Sequence, residues 1–144
     1  MLAGAGGLTK SGASTLTLTG ANTFTGGLNI AAGTVALAAG GHLAATGNVT
    51  LSAPGAGFDI SAATGAQTIG ALSGVASTTI TLGANALTFG DATNQIYAGV
   101  ISGTGSITKT GSGTQTLSGA NTFSGGVNLN QGGLLVANAG ALGT

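Results

Sequence analysis

The sequence predicts an all-β protein, a parallel β-helix (β-solenoid) that forms a single elongated domain over residues 1–144. Gly, Ala, Thr and Ser account for 90 of the 144 residues, so the core must be thin and the backbones close together. Apolar and small polar residues alternate with period 2, the spacing of strands with one buried face. Residues 1–45 align without a gap on residues 100–144, with 20 identities.

The alternation predicts short strands whose apolar residues point inward. The inward positions are Leu16, Leu18, Leu28, Ile30, Val35, Leu37, Val49, Leu51, Phe58, Ile60, Ile80, Leu82, Leu87 and Phe89. Gly, Asn and Ser separate these strands about every ten residues, which fits a sandwich of hairpins or a solenoid. The hairpin dipeptides Asn-Gly and Asp-Gly are absent and the inward residues are uniformly mid-sized, which favours a solenoid with about three strands a turn and roughly five to seven rungs.

Some residues recur in both copies of the repeat and predict its corners. The segments Gly20–Phe24 and Gly119–Phe123 have the same sequence, in which Asn tolerates left-handed backbone and can bond neighbouring amides, and Phe fills the core at a bend. Glycines elsewhere are expected where corners need positive φ. Lys10 and Lys109 occupy equivalent positions, where we expect solubilising side chains at strand edges.

The strings LTKSGASTLTLTGANTFTGGLNIAAGTVAL and ITKTGSGTQTLSGANTFSGGVNLNQGGLLV resemble the autotransporter-associated β-strand repeat of bacterial passenger regions. The runs from Gly65 to Gly74 and from Ala98 to Gly111 resemble the linking parts of that family's longer arrays. The resemblance implies a right-handed parallel β-helix that is secreted and displayed at the bacterial cell surface. It also implies structural, adhesive or self-associating roles and carries over no catalytic residues.

The charge inventory argues against several classes of partner. Lys10, Lys109, Asp59 and Asp91 are the charged residues, and the net charge is zero. Nucleic-acid binding needs clustered Lys or Arg, so no nucleic-acid partner is expected. No apolar run is long enough for membrane insertion, and any export signal is expected to lie outside this segment. Without Cys, neither disulfides nor thiolate metal sites can form.

Candidate catalytic groups are too few to predict an enzyme. A Ser-His-Asp arrangement could use only His42 with Asp59 or Asp91, and no G-x-S-x-G turn is present. His42 lies in a turn context and Asp59 is expected on the outer side of a strand; a single acidic turn does not make the stacked calcium site of β-rolls. We therefore predict no catalytic residue, no metal site and no cofactor.

The leading functional hypothesis is a structural module that associates with itself. The terminal rungs have related sequences and little charge keeps copies apart, so head-to-tail stacking into a filament is one expectation. The alternative is a monomeric fragment of a longer protein. The candidate contacts in the terminal rungs are Leu2, Leu8, Leu134, Val136 and Leu142, with Leu134 and Val136 facing inward.

The alternative hypothesis is a binding module for a glycan, a host or cell surface, or ice. Outward threonines form the candidate surface array, namely Thr15, Thr17, Thr19, Thr79, Thr81, Thr114 and Thr116. Such an array is typical of β-helical ice-binding proteins. β-Branched Thr also simply suits outward strand positions, and the pairs are irregularly spaced, so both interpretations stay open.

Overall fold

The structure is a computed structural model that describes residues 1–144, and it contains sixteen short β-strands and no helix. The strands are β1 (Leu8–Lys10), β2 (Thr15–Leu18), β3 (Leu28–Ile30), β4 (Thr34–Leu37), β5 (Val49–Leu51), β6 (Gly57–Asp59), β7 (Gln67–Thr68), β8 (Leu72–Gly74), β9 (Thr79–Thr81), β10 (Leu87–Phe89), β11 (Gln95–Tyr97), β12 (Val100–Ser102), β13 (Ile107–Lys109), β14 (Thr114–Leu117), β15 (Val127–Leu129) and β16 (Gly133–Val136). A helix long and apolar enough to cross a membrane is not found.

Every strand pairing is parallel, and the strands form the three sides of a solenoid. Sheet 1 has the order β1-β3-β5-β8-β11-β14-β16, sheet 2 the order β2-β4-β6-β9-β12, and sheet 3 the order β7-β10-β13-β15. The chain visits the sides in turn, so the seven strands of sheet 1 mark six full turns from β1 to β16. This arrangement confirms the predicted all-β parallel β-solenoid with about three strands a turn.

The core is a single column of inward side chains, and it follows the period-2 alternation. Thirteen of the fourteen predicted inward residues are buried, and Leu16 is partly buried against them. The parallel register stacks like on like, for example Val35 under Phe58 and Phe58 under Ile80. The column is less uniform than expected, because it also holds the fully buried Tyr97, which lies over Gly74. A Cβ at Gly74 would come within 2.7 Å of the Tyr97 ring, so glycine makes the room for tyrosine.

Glycine with positive φ makes the tight corners, as predicted. Gly33 and Gly132 occupy equivalent positions in the two repeats, with φ of 67° and 77°. A Cβ at Gly132 would lie 2.3 Å from the Gly113 carbonyl oxygen and 2.4 Å from that of Gly111. Both the backbone conformation and the approach of the rung below therefore require glycine here.

The segments Gly20–Phe24 and Gly119–Phe123 are not simple corners. Each follows β2 or β14 and occupies the next side of the turn as extended chain, hydrogen-bonded to the neighbouring rungs. Their Asn residues do not have positive φ, which corrects the expectation of left-handed asparagine. Phe24 and Phe123 are buried, consistent with the predicted core-filling role.

The two repeats use different sides of the solenoid. Strands β1 and β2 lie in sheets 1 and 2, but their counterparts β13 and β14 lie in sheets 3 and 1. From β1 the chain makes four complete turns to β11, by way of β3, β5 and β8. It then continues through β12 in sheet 2 to β13 in sheet 3, one side short of a fifth full turn. The second repeat is therefore one side out of step with the first.

Candidate functional site

The last rung leaves inward apolar side chains uncovered. In the register of β14 and β16, Val136 stacks on Leu117, which is completely buried, whereas Val136 itself is 45% exposed. Leu134 faces inward beside it and is partly buried, and Leu129 of β15 is exposed on the adjacent side. Strands β15 and β16 are hydrogen-bonded to a strand on one side only. This end rung thus combines free backbone groups with apolar side chains.

The first rung presents the opposite edge. Strand β1 pairs only with β3, and β2 only with β4. Leu8 packs partly buried against the core, while Leu2 is exposed. The Leu2 carbonyl accepts a 2.8 Å hydrogen bond from the Thr23 N–H, so residues before β1 continue the solenoid on its third side. Of the five predicted association residues, two lie at this end (Leu2 and Leu8) and three at the other (Leu134, Val136 and Leu142).

The predicted threonine array is divided between sides. Thr15 and Thr17 of β2 and Thr79 and Thr81 of β9 all lie in sheet 2, but two strands separate them. The intervening outward positions hold Thr34, Ala36, Gly57 and Asp59, so the hydroxyls do not form an unbroken ladder. Thr19 follows β2 and is exposed, and Thr114 and Thr116 lie in sheet 1.

Two buried asparagines connect successive rungs through their side-chain amides. Asn121 Oδ1 accepts a 2.8 Å hydrogen bond from the Ile101 N–H of the rung below, and Nδ2 donates at 2.6 Å to the Ala141 carbonyl of the rung above. Asn22, its counterpart, bonds to Leu2 N–H and to the His42 carbonyl in the same way. The Gly-Ala-Asn-Thr-Phe motif therefore carries an asparagine clamp between rungs. The predicted bonds to neighbouring amides are confirmed, and the structure places those amides in the adjacent rungs.

The two lysines are buried, which corrects the prediction of solubilising side chains. Lys10 is 7% exposed and Lys109 is 2% exposed. Each lies at the inward-facing end of its strand and extends into the corner, where Nζ meets backbone carbonyl oxygens. Burial lowers the pKa of Lys109 below its ordinary value of 10.5, and the nearby Asp91 carboxylate opposes this shift.

The remaining titratable groups lie apart. His42 is exposed on the third side, where its backbone pairs with Ala21. Asp59 lies on the outer side of β6 and its Oδ1 accepts a 2.8 Å bond from the Ser61 N–H. Burial raises the pKa of Tyr97 to about 12, against a hydrogen bond with Thr78 that lowers it. No three His, Cys, Asp or Glu side chains come together in a group that could hold a metal ion.

Comparison with known proteins identifies the repeated motif. Residues 8–37 and 107–136 match the family model described as the passenger-associated-transport-repeat. No curated protein and no solved structure matches the chain with statistical significance. The matched segments extend from β1 to β4 and from β13 to β16. Each therefore contains one asparagine clamp and one lysine corner, the turn after Lys10 or Lys109 whose carbonyls accept from Nζ. The resemblance predicted from the sequence is thereby confirmed: two segments of the chain match the passenger-associated-transport-repeat, and they form the two end portions of its β-solenoid.

Proposed function

We propose that this chain is a structural module of an autotransporter-type passenger, displayed outside the cell, that acts through its surface and through end-to-end association. The coarser part of this proposal, a passenger-like structural solenoid, follows from the matched repeats and the parallel fold. Repeats of this kind suggest a secreted or cell-surface protein.

The observation that carries the association proposal is the uncovered inward column at β16. A further rung placed on β16 would bury Val136 as β16 itself buries Leu117. In a second copy, β1 supplies such a rung, with Leu8 above Leu134 and the aliphatic part of Lys10 above Val136. The zero net charge of the chain means that no overall electrostatic repulsion opposes this contact.

The strength of this contact follows from its parts. Covering each half-exposed leucine or valine contributes about 1 kcal/mol, since complete burial is worth about 1.5–3 kcal/mol. Each edge hydrogen bond adds about 0.5–1.5 kcal/mol net. Association of two proteins loses about 4–15 kcal/mol of translational and rotational freedom, so the side chains alone are insufficient and the strand pairing must contribute. Assembly is therefore expected to depend steeply on concentration.

The test compares two neighbouring residues of β16 that are similarly exposed but point in opposite directions. Val136 faces inward, and Leu135, 55% exposed, faces outward over Thr116. The unchanged chain is expected to form filaments in negative-stain micrographs at low micromolar concentration. Val136→Lys should abolish them, because it places a second ammonium group against Lys10 of the added copy, while Leu135→Lys should leave them intact. Monodisperse particles one solenoid long from the unchanged chain, or equal effects of the two substitutions, would refute end-to-end stacking.

A binding module is the second candidate, and one surface feature favours it. The outer column of sheet 1 consists largely of Thr, Asn and Ser, but Ile96 is 59% exposed and Leu135 lies two rungs above it. Neutral polar groups beside exposed aliphatic side chains suit an uncharged glycan. Binding on a glycan array that is lost in Ile96→Asp would support this function. For the ice-binding alternative, thermal hysteresis that Thr79→Asp abolishes is the corresponding measurement.

A further inference from the structure

The same group of carbonyl oxygens surrounds both lysine ammonium groups. Lys10 Nζ donates to the carbonyls of Ser11 at 3.2 Å, Gly12 at 2.6 Å and, in the next rung, Ala32 at 3.2 Å. Lys109 Nζ donates to the three equivalent carbonyls, those of Thr110, Gly111 and, in the next rung, Gln131. Three N–H groups thus meet three acceptors drawn from two successive rungs.

The arrangement of acceptors is determined by the corner itself and does not depend on which sheets the corner joins. The Lys10 corner joins sheets 1 and 2 in the first rung, whereas the Lys109 corner joins sheets 3 and 1 and has Gly90 beneath its ammonium group. Despite these different positions, the acceptors coincide residue by residue. Positive φ at Gly12 and Gly111, 84° and 71°, sets the same chain direction in both corners.

The hydrogen-bond acceptors around each ammonium group are neutral backbone carbonyls, not carboxylates. The Asp91 carboxylate in the corner below Lys109 is engaged elsewhere, because its Oδ1 accepts from the Thr93 N–H at 2.7 Å and from the Thr93 hydroxyl at 2.5 Å. A buried ammonium group is stabilised only if each N–H finds an acceptor, and here backbone carbonyls supply all three. Such a cage selects a cation that carries N–H groups and a slender tail.

We propose that each corner is a binding site for a primary ammonium ion, which the chain occupies with its own lysine. The site links one rung to the next at the corner, because the third acceptor belongs to the following turn. It also removes both lysine amines from the surface and leaves the α-amino group of the exposed Met1 as the accessible amine.

The test empties one site and refills it with a free ligand. Lys109→Ala removes Cγ, Cδ, Cε and Nζ, which n-propylammonium replaces atom for atom. The thermal midpoint of Lys109→Ala is expected to fall and then to rise with the logarithm of n-propylammonium concentration, while that of the unchanged chain stays constant. Tetramethylammonium, which has charge but no N–H, and n-propanol, which has no charge, should not restore it. Equal effects of the three additives, or an equal effect on the unchanged chain, would overturn the site.

Two further measurements keep the proposal testable if Lys109→Ala does not fold. Lys10→Ala empties the equivalent site in the edge rung, and the same additive series applies to it. In the unchanged folded chain, an acylating reagent should modify Met1 and leave Lys10 and Lys109 unmodified, with both lysines reacting after denaturation. Reaction of either lysine at the rate of Met1 in the folded chain would contradict an occupied cage.

Discussion

Replacement of the buried asparagine clamp at Asn121 provides the most direct test of how successive rungs are held together. Asn121→Ala removes the acceptor for Ile101 N–H and the donor to the Ala141 carbonyl. Ile101 and Ala141 are both completely buried, so water cannot easily replace the lost partners. A buried polar group without a partner costs about 1–3 kcal/mol. With two such groups, we expect Asn121→Ala to lower the free energy of unfolding by about 2–5 kcal/mol.

The two repeats provide the matched controls. Asn22 makes equivalent bonds, but its partners Leu2 and His42 are exposed, so water can replace the side chain and Asn22→Ala should cost about 1 kcal/mol. Asn128 is exposed on the outer side of β15, and Asn128→Ala should change stability by less than about 0.5 kcal/mol. Asn121→Asp keeps the acceptor but turns an oxygen toward the Ala141 carbonyl, so it should not restore stability.

Urea denaturation followed by circular dichroism measures these differences. The expected order of destabilisation is Asn121→Ala first, Asn22→Ala second and Asn128→Ala last, at a common slope with denaturant. If Asn121→Ala loses no more stability than Asn128→Ala, the side-chain bonds between rungs contribute nothing net. The clamp would then be incidental to the fold.

Other consequences of the structure can be measured independently. Because burial raises the pKa of Tyr97 to about 12, its phenol should stay un-ionised well above pH 10; the stability this residue contributes is complete below pH 10 and is lost as pH rises toward 12, an effect that Tyr97→Phe should abolish. Gly132→Ala should lower the free energy of unfolding by more than the roughly 1–2 kcal/mol that left-handed strain alone costs, because its Cβ also meets backbone of the rung below. Gly126→Ala is the control for strain alone, since no atom lies within 4 Å of its added Cβ. Trypsin should leave the folded chain intact after hours in which the urea-unfolded chain is cut at Lys10 and Lys109, and rapid cleavage of the folded chain would contradict the burial of both lysines.

Period-2 alternation predicted the core because it reports directly on which side of a strand faces inward. The lysines fit the same alternation, although they were expected to be solubilising: Lys109 follows Ile107 by two residues, as Lys10 follows Leu8, so both occupy inward positions. Their charge suggested an outward side chain, since an isolated buried ammonium is unfavourable. The acceptors that make burial possible are two carbonyls of the corner that follows the lysine and one carbonyl of the next rung. No local sequence pattern encodes where the third acceptor lies. The sequence predicted that the two asparagines bond neighbouring amides, but not that these amides belong to other rungs, for the same reason.

The repeat length explains why the side of the solenoid occupied by each motif could not be predicted. Successive strands of sheet 1 begin at Leu8, Leu28, Val49, Leu72, Gln95, Thr114 and Gly133, so turns differ in length by up to four residues. A constant offset of 99 residues in sequence therefore need not be a whole number of turns, and the second copy begins one side short of the fifth full turn. What the repeats conserve between them is a set of contacts from one rung to the next: the lysine corner, the asparagine clamp and the left-handed glycine. These contacts are the same although the two repeats begin on different sides of the solenoid. The repeat therefore specifies how one rung stacks on the next, but it does not specify the side of the solenoid on which its strands lie.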